Sequence, residues 1–211
     1  MITGAGDSFS SGNDLGNFLT ALSSGQFQSK EEMAEFGGQL LHGIVKAIID
    51  FPKPLIAAVN GATIGIMFTT LPLFDLVFAH PSATFLAPFS RLGQAPEGCS
   101  TFTFPQLMGT ARATELLILG KKINAEQAKD LGLVNEIIPG GDFLTQVQDR
   151  VQELVLLPVG SIMESKALMK RWQKEMLHRV NMEECRMLVR RWQSDECMEA
   201  VLKFFERKSK L

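Results

Sequence analysis

Twenty-one consecutive residues between Lys53 and Asp75 carry no charge, and that run limits what the chain can become. Its length alone would permit a membrane span. The content argues for a buried strand-turn-helix instead, because Asn60, Gly61, Gly65 and Pro72 interrupt it and Thr63, Thr69 and Thr70 add hydroxyls. Within it, Leu55-Ile56-Ala57-Ala58-Val59 is a short apolar stretch bounded by Pro54 and Asn60-Gly61, which predicts a fully buried strand. A short helix over 65–73 and a second apolar strand over 75–79 follow. Strands separated by helices predict α/β architecture.

On the N-terminal side, Ser29 followed by Glu31 and Glu32 marks a helix start. Phe36, Leu40, Ile44 and Ile48 then recur at four-residue spacing up to Asp50, and Pro52 and Pro54 end that amphipathic helix. From Cys99 onward the pattern is almost wholly helical, with helices predicted near 99–108, 111–119 and 124–131. A short strand over 133–138 intervenes before the break at Pro139-Gly140-Gly141. Helical periodicity resumes over 143–156 and from 161 to the end. The predicted organisation is an α/β core over 1–139 and a helical C-terminal region over 140–211.

Composition excludes several classes. Twenty-one Lys and Arg against 23 Asp and Glu leave a net charge of −2, too little basic field to hold a nucleic acid. Cys99, Cys185 and Cys197 are an odd number without a CxxC, which argues against a disulfide framework. His42, His80 and His178 lie far apart without a cysteine at ligand spacing, so no metal site is expected.

The residues that could carry chemistry are few. Gly4-Ala5-Gly6-Asp7-Ser8-Phe9 has Phe9 where a dinucleotide fingerprint needs a third glycine. No Gly-x-Ser-x-Gly elbow occurs, and no histidine sits beside a nucleophile, which disfavours a serine hydrolase. Ser10-Ser11-Gly12-Asn13-Asp14 is a turn of small polar residues. It is either a solvated loop or a row of backbone N–H groups able to bind a developing oxyanion. Asn60 to Ile66 forms a second such turn, leaving a buried strand and entering a helix. Glu97, in Gln94-Ala95-Pro96-Glu97-Gly98-Cys99, is either a helix N-terminal acid favoured by the macrodipole or a proton carrier in an apolar pocket. The dipole would lower its pKa and the pocket would raise it.

Taken together these segments resemble the crotonase (enoyl-CoA hydratase/isomerase) superfamily, and within it the peroxisomal type of Δ3,Δ2-enoyl-CoA isomerase. The resemblance rests on Ile2-Thr3-Gly4, SFSSGNDL (8–15), KPLIAAVNGATIGI (53–66), FDLVFA (74–79), ATFLAPFSRLGQAPEGCS (83–100) and GKKINAEQAKDLGLVNEII (120–138). It implies a spiral of ββα turns with a helical trimerisation region at the C-terminus, and a chain that starts after the family's first strands. It also implies a coenzyme A thioester as substrate, with no separate cofactor. The thioester oxygen would lie between the amides of Asn13 and Ile66. The CoA portion would run along Ser10, Ser11, Gly12, Asn13, Asp14 and Leu15, beside Lys53 and Gly65. Hydratases of this family use two glutamates, and the corresponding positions here are Thr69 and Phe89. The isomerases of the peroxisomal type place one glutamate in the Pro-Glu-Gly-Cys turn, which is Glu97. One carboxylate suffices for a 1,3-proton shift.

Rival readings are another acyl-CoA enzyme of the fold, such as a hydratase or thioesterase, and a catalytically silent crotonase-fold module that binds acyl-CoA or a protein. The C-terminal Ser209-Lys210-Leu211 matches the receptor-read peroxisomal address, which predicts a peroxisomal matrix protein recognised by the import receptor. Leu154, Leu156, Leu157, Ile162, Leu168, Met169, Trp172, Met176, Leu188, Trp192 and Phe204 give the C-terminal region more apolar surface than a peripheral layer could bury. They predict a trimer or a dimer of trimers.

Overall fold

The structure, a computed structural model, describes residues 1–14, 16, 20 and 25–208, without the side chains of 207 and 208. Leu15 and the Ser209-Lys210-Leu211 address lie outside the described residues.

The first strands are β1 (Ile2–Thr3), β2 (Ser8–Ser10), β3 (Ile56–Val59), β4 (Ala62–Ile64), β5 (Leu76–Ala79) and β6 (Thr84–Leu86). They alternate between two sheets. With β8 (Glu136–Ile137) the odd members form one parallel sheet, ordered β1-β3-β5-β8. With β7 (Ile123–Asn124) the even ones form the second, β2-β4-β6-β7, in which only the β6–β7 pair is antiparallel. Each successive strand pair turns a corner from one sheet to the other and stacks on the pair before it. Asn60 makes one such corner: its Oδ1 accepts from the Gly4 amide at 3.1 Å and its Nδ2 donates to Gly6 O at 2.7 Å. Its neighbour must be glycine, since a Cβ on Gly61 would lie 2.0 Å from Asp7 O.

Burial of β3 on both faces explains its unbroken apolar run. Ala57 and Val59 point into the central core with Phe68, Phe85, Phe104 and Leu116. Ile56 and Ala58 point the other way, against Phe78 and against Phe143 and Val147. The helices are α1 (Lys30–Asp50), α2 (Ile66–Thr69), α3 (Ser100–Met108), α4 (Thr110–Leu117), α5 (Ala125–Asp130), α6 (Phe143–Val155), α7 (Val159–Trp192) and α8 (Asp195–Lys208). Helix α1 buries Leu41, Val45 and Ile49 against Leu177, Cys185 and Leu188 of α7. None of the described helices is long and apolar enough to cross a membrane.

The structure departs from the sequence reading in several places. Phe36, Leu40 and Ile44, the four-residue series read from the sequence, are exposed on α1, whose buried face carries Met33, Leu41, Val45 and Ile49. Asn60 to Ile66 contains strand β4, and the helix predicted over 65–73 divides into α2 and a 3-10 turn at Leu71–Leu73. The strand predicted over 133–138 pairs only at Glu136–Ile137. Before it, the Asn135 side chain takes the Val77 amide at 2.7 Å and occupies the ladder position. Strand β6 was not expected, because three residues between Pro81 and Pro88 carry too little periodicity. The helix predicted from 161 onward breaks at Gln193–Ser194, where Ser194 Oγ accepts from the Cys197 amide at 3.3 Å and caps α8.

Candidate active site

The two turns singled out in the sequence meet. Gly65, with φ 64° and ψ −131°, occupies backbone space closed to other residues, and a Cβ there would lie 3.8 Å from Gly12 Cα. The Gly65 amide donates to Leu86 O at 2.9 Å, which fastens this turn to β6. The next amide, Ile66, opens α2 and finds no acceptor among the described residues. In the other turn Ser10 Oγ accepts from the Gly12 amide at 3.2 Å and Asp14 Oδ1 from the Gly16 amide at 2.8 Å. The Asn13 amide between them is likewise without a described acceptor. Ser11, Asn13 and Asp14 are exposed, while Ser10 and Gly12 are partly covered.

Glu97 is one of the few acids the fold removes from water, at 4% exposure. Its turn abuts α2, because a Cβ on Gly98 would come 2.8 Å from Thr69 Oγ1 and 3.0 Å from Thr70 Cγ2. Thr69 cannot take Glu97's place: its hydroxyl is occupied by Ile66 O at 3.1 Å and Gly65 O at 3.3 Å. Phe89 is buried and apolar. Burial pushes the Glu97 carboxyl up to about 8, with the negative charge of Glu184 adding to the shift.

Of the two readings of Glu97, the helix-capping one is already filled by another residue. Cys99, the one non-glycine residue with positive φ (63°) among the described residues, is the N-cap of α3 and supplies no side-chain cap bond. Glu184 on α7 caps α3 instead, its Oε2 accepting from the Cys99 amide at 2.7 Å. Its Oε1 accepts from the Thr101 amide at 2.9 Å and Thr101 Oγ1 at 2.6 Å. Burial raises the Glu184 carboxyl and these three bonds offset part of the rise. The sequence reading passed over Glu184, although a signal was present. Leu177, Asn181, Glu184, Cys185 and Leu188 share one helical stripe, so its two polar members face the core.

Lys53 is exposed, and its carbonyl accepts from Lys166 Nζ at 2.6 Å. Lys166 also meets Asp75 Oδ2 at 2.6 Å, and that oxygen takes the Leu55 amide at 2.7 Å. Burial alone would raise Asp75, but the bonds from Lys166, the Leu55 amide and Lys170 together hold it below the ordinary carboxylate range. The segment expected beside CoA is thereby tied to α7. A cavity of about 400 Å³, lined in part by Leu107, Arg112, Glu115, Lys121 and Gln127, includes none of these residues. No described group of three His, Cys, Asp or Glu side chains could hold a metal ion.

Comparison with known proteins follows the same lines. The family described as enoyl-CoA hydratase/isomerase matches residues 1–210. Enoyl-CoA delta isomerase 2 of Rattus norvegicus is 50% identical over 211 residues, covering 100% of this chain and 53% of that protein. Enoyl-CoA delta isomerase 3, peroxisomal, of Mus musculus is 42% identical over 210 residues, 100% of this chain and 65% of that one. Human Chromodomain Y-like protein is 36% identical, covering 99% of this chain and 34% of its own. The chain thus spans about half the length of the first of these relatives. Among solved structures, Pseudomonas aeruginosa OdaA superposes with a TM-score of 0.83 at 37% identity, covering 96% of this chain and 78% of that one. With two sheets wound as a spiral, a helical C-terminal region and a family match over nearly every residue, the chain belongs to the enoyl-CoA hydratase/isomerase family.

Proposed function

We propose that the chain is the catalytic unit of an enoyl-CoA isomerase, moving the double bond of a 3-enoyl-CoA to the trans-2 position during fatty acid β-oxidation. The observation that carries this reading is one buried carboxyl of raised proton affinity, Glu97, on a turn packed against the helix that Ile66 opens. The two positions where family hydratases carry their acids hold Thr69 and Phe89, so water addition lacks its pair of carboxylates. In the reaction, Glu97 removes a proton from C2 and returns it at C4. The charge of the intermediate dienolate gathers on the thioester oxygen, where the amides of Asn13 and Ile66 receive it; each such donor is typically worth about 3 kcal/mol. A carboxylate whose pKa has been brought near neutrality is a better base for a carbon acid than an ordinary glutamate. CoA lies along Ser10, Ser11, Gly12, Asn13, Asp14 and Leu15, beside Lys53 and Gly65.

The deciding experiment is a coupled isomerase assay on 3-enoyl-CoA. Glu97→Gln keeps the shape of the side chain but cannot accept the proton, and its expected loss in kcat is on the order of 10²–10⁴ with KM nearly unchanged. Thr69→Ala should show no comparable loss. Near-wild-type turnover by Glu97→Gln would overturn the assigned base and the choice of isomerase. The likeness to Chromodomain Y-like protein supports a second reading, a silent acyl-CoA or protein-binding module. That reading predicts acyl-CoA binding by the unaltered protein with no turnover.

Residence in the peroxisomal matrix belongs to the same proposal. Its support is the terminal Ser209-Lys210-Leu211 and the likeness to the peroxisomal isomerase 3 of the mouse. Deleting Leu211 should release the protein to the cytosol, and unchanged peroxisomal localisation by fluorescence microscopy would count against the address.

A further inference from the structure

Glu184 lies 87 positions after Glu97 in the chain, yet it touches the same turn. Its carboxyl is buried, at 6% exposure, and all three of its partners are donors: the Cys99 amide, the Thr101 amide and Thr101 Oγ1. Both oxygens accept, so the ionised form satisfies the geometry without a proton. Two consequences follow from the placement. The bond to the Cys99 amide anchors the one left-handed non-glycine residue of the described chain, two positions from Glu97, and such backbone persists only where its surroundings hold it. A fixed negative charge beside a second buried carboxyl also opposes ionisation of that second group. We propose that Glu184 is a positioning residue for the Glu97 reaction: it holds the turn that aims Glu97, and its charge sets how firmly Glu97 keeps a proton. This rests on the reading of Glu97 as the proton carrier.

The other groups around Glu97 do not supply that charge. Cys185, on α7, and Cys99, in the turn itself, are buried thiols pushed up, Cys185 to about 12, and so are neutral at physiological pH. Helix α2 and its C-cap present Thr69 and Thr70, which are uncharged. Among the described residues, Glu184 is the charge that raises Glu97.

The test follows Glu97 directly. Titration of carbon-13-labelled glutamate carboxyls by NMR, with the Glu97 signal assigned by its loss in Glu97→Gln, is run beside the pH dependence of kcat/KM for the unaltered protein, Glu184→Gln and Glu184→Asp. Removing the charge in Glu184→Gln should move the Glu97 titration and the inflection of kcat/KM down by about one pH unit or more. KM should stay within about twofold. Glu184→Asp keeps the charge but shortens the reach, so the inflection should stay near that of the unaltered protein while kcat falls by about tenfold. If both variants lower kcat or stability while the Glu97 titration stays put, Glu184 is only a structural cap and the proposal is overturned. Should Glu184→Gln not fold, an inflection lowered in Glu184→Asp as well would overturn the charge effect, and one held in place with reduced kcat would support it. Absence of turnover in the unaltered protein, with the Glu97 titration still shifted by Glu184→Gln, would refute the isomerase reading and leave the coupling of the two carboxyls standing.

Discussion

Glu97 illustrates how a single side chain can cost stability where it serves chemistry. Burial first, and the Glu184 charge second, bring its folded pKa up to about 8 from an ordinary value of 4.5. Between those two pH values the folded protein binds a proton that the unfolded chain has released, so stability falls as pH rises across that window. The contribution is complete below about pH 4.5 and lost above about pH 8. At roughly 1.4 kcal/mol per pH unit of pKa difference it amounts to a few kcal/mol. Glu97→Gln stays neutral throughout, so it should be more stable than the unaltered protein at about pH 9 and lack this slope. Urea unfolding midpoints at about pH 5 and about pH 9 check the prediction, and equal pH slopes for the two proteins would sink it. The same variant should be the one that loses turnover, which places the cost of burial and the use of the base in one residue.

At the level of elements, α7 is secured by an i, i+4 series of three lysines and a histidine against two acids. Lys166 and Lys170 meet Asp75 at 2.6 and 3.0 Å. Lys174 and His178 meet Asp50 at 2.8 and 3.1 Å. The partners sit at the end of α1 and the start of β5, so one helix face clamps the segment at 53–55 from outside. Most of these pairs are partly exposed and contribute little singly; Lys166, at 10% side-chain exposure, is the exception. Local signals set other elements with less help. Asn124 and Gln127 form a capping box at the start of α5, in which each side chain takes the other's backbone amide. That device is worth about 1 kcal/mol and is visible in the sequence as Asn-x-x-Gln before Ala128. Ser29 caps α1 from one side only, its Oγ accepting from the Glu32 amide at 3.1 Å, while the Glu32 carboxylate takes the Gln28 amide.

For the whole molecule, the apolar residues of the C-terminal region divide into two groups. Leu188 belongs to the core shared with α1 and Trp192 packs beside it, whereas Leu156, Leu168, Met169 and Trp172 stand in water, Trp172 at 79% exposure. Leu168, Met169 and Trp172 of the first half of α7 therefore face outward, and Val155 and Leu157 are exposed as well. A patch of that character is covered in most proteins of this size. We propose that copies of the chain cover it for one another in a trimer or a dimer of trimers. Light scattering at micromolar concentration should return at least a trimer mass, and Trp172→Glu should reduce it. A monomer mass for the unaltered protein would refute the proposal.

The apolar run at 54–74, the helix over Lys30–Asp50 and the capped α5 were legible because each depends on neighbours within a few residues: periodicity, a cap, a proline stop. The two amide-rich turns and Glu97 could be picked out as residue types suited to the chemistry, and resemblance supplied their roles. Their meeting could not be read, since Gly12 and Gly65 are brought together by a β2–β4 pairing between strands more than fifty residues apart. Strand β6 escaped for a related reason: three residues hold no period of their own, and pairing to β4 makes them a strand. The proton affinity of Glu97 was open in the sequence because dipole and pocket oppose each other there. Tertiary structure decided it, by burying the side chain and by sending Glu184, from a helix far along the chain, to take the cap and add its charge.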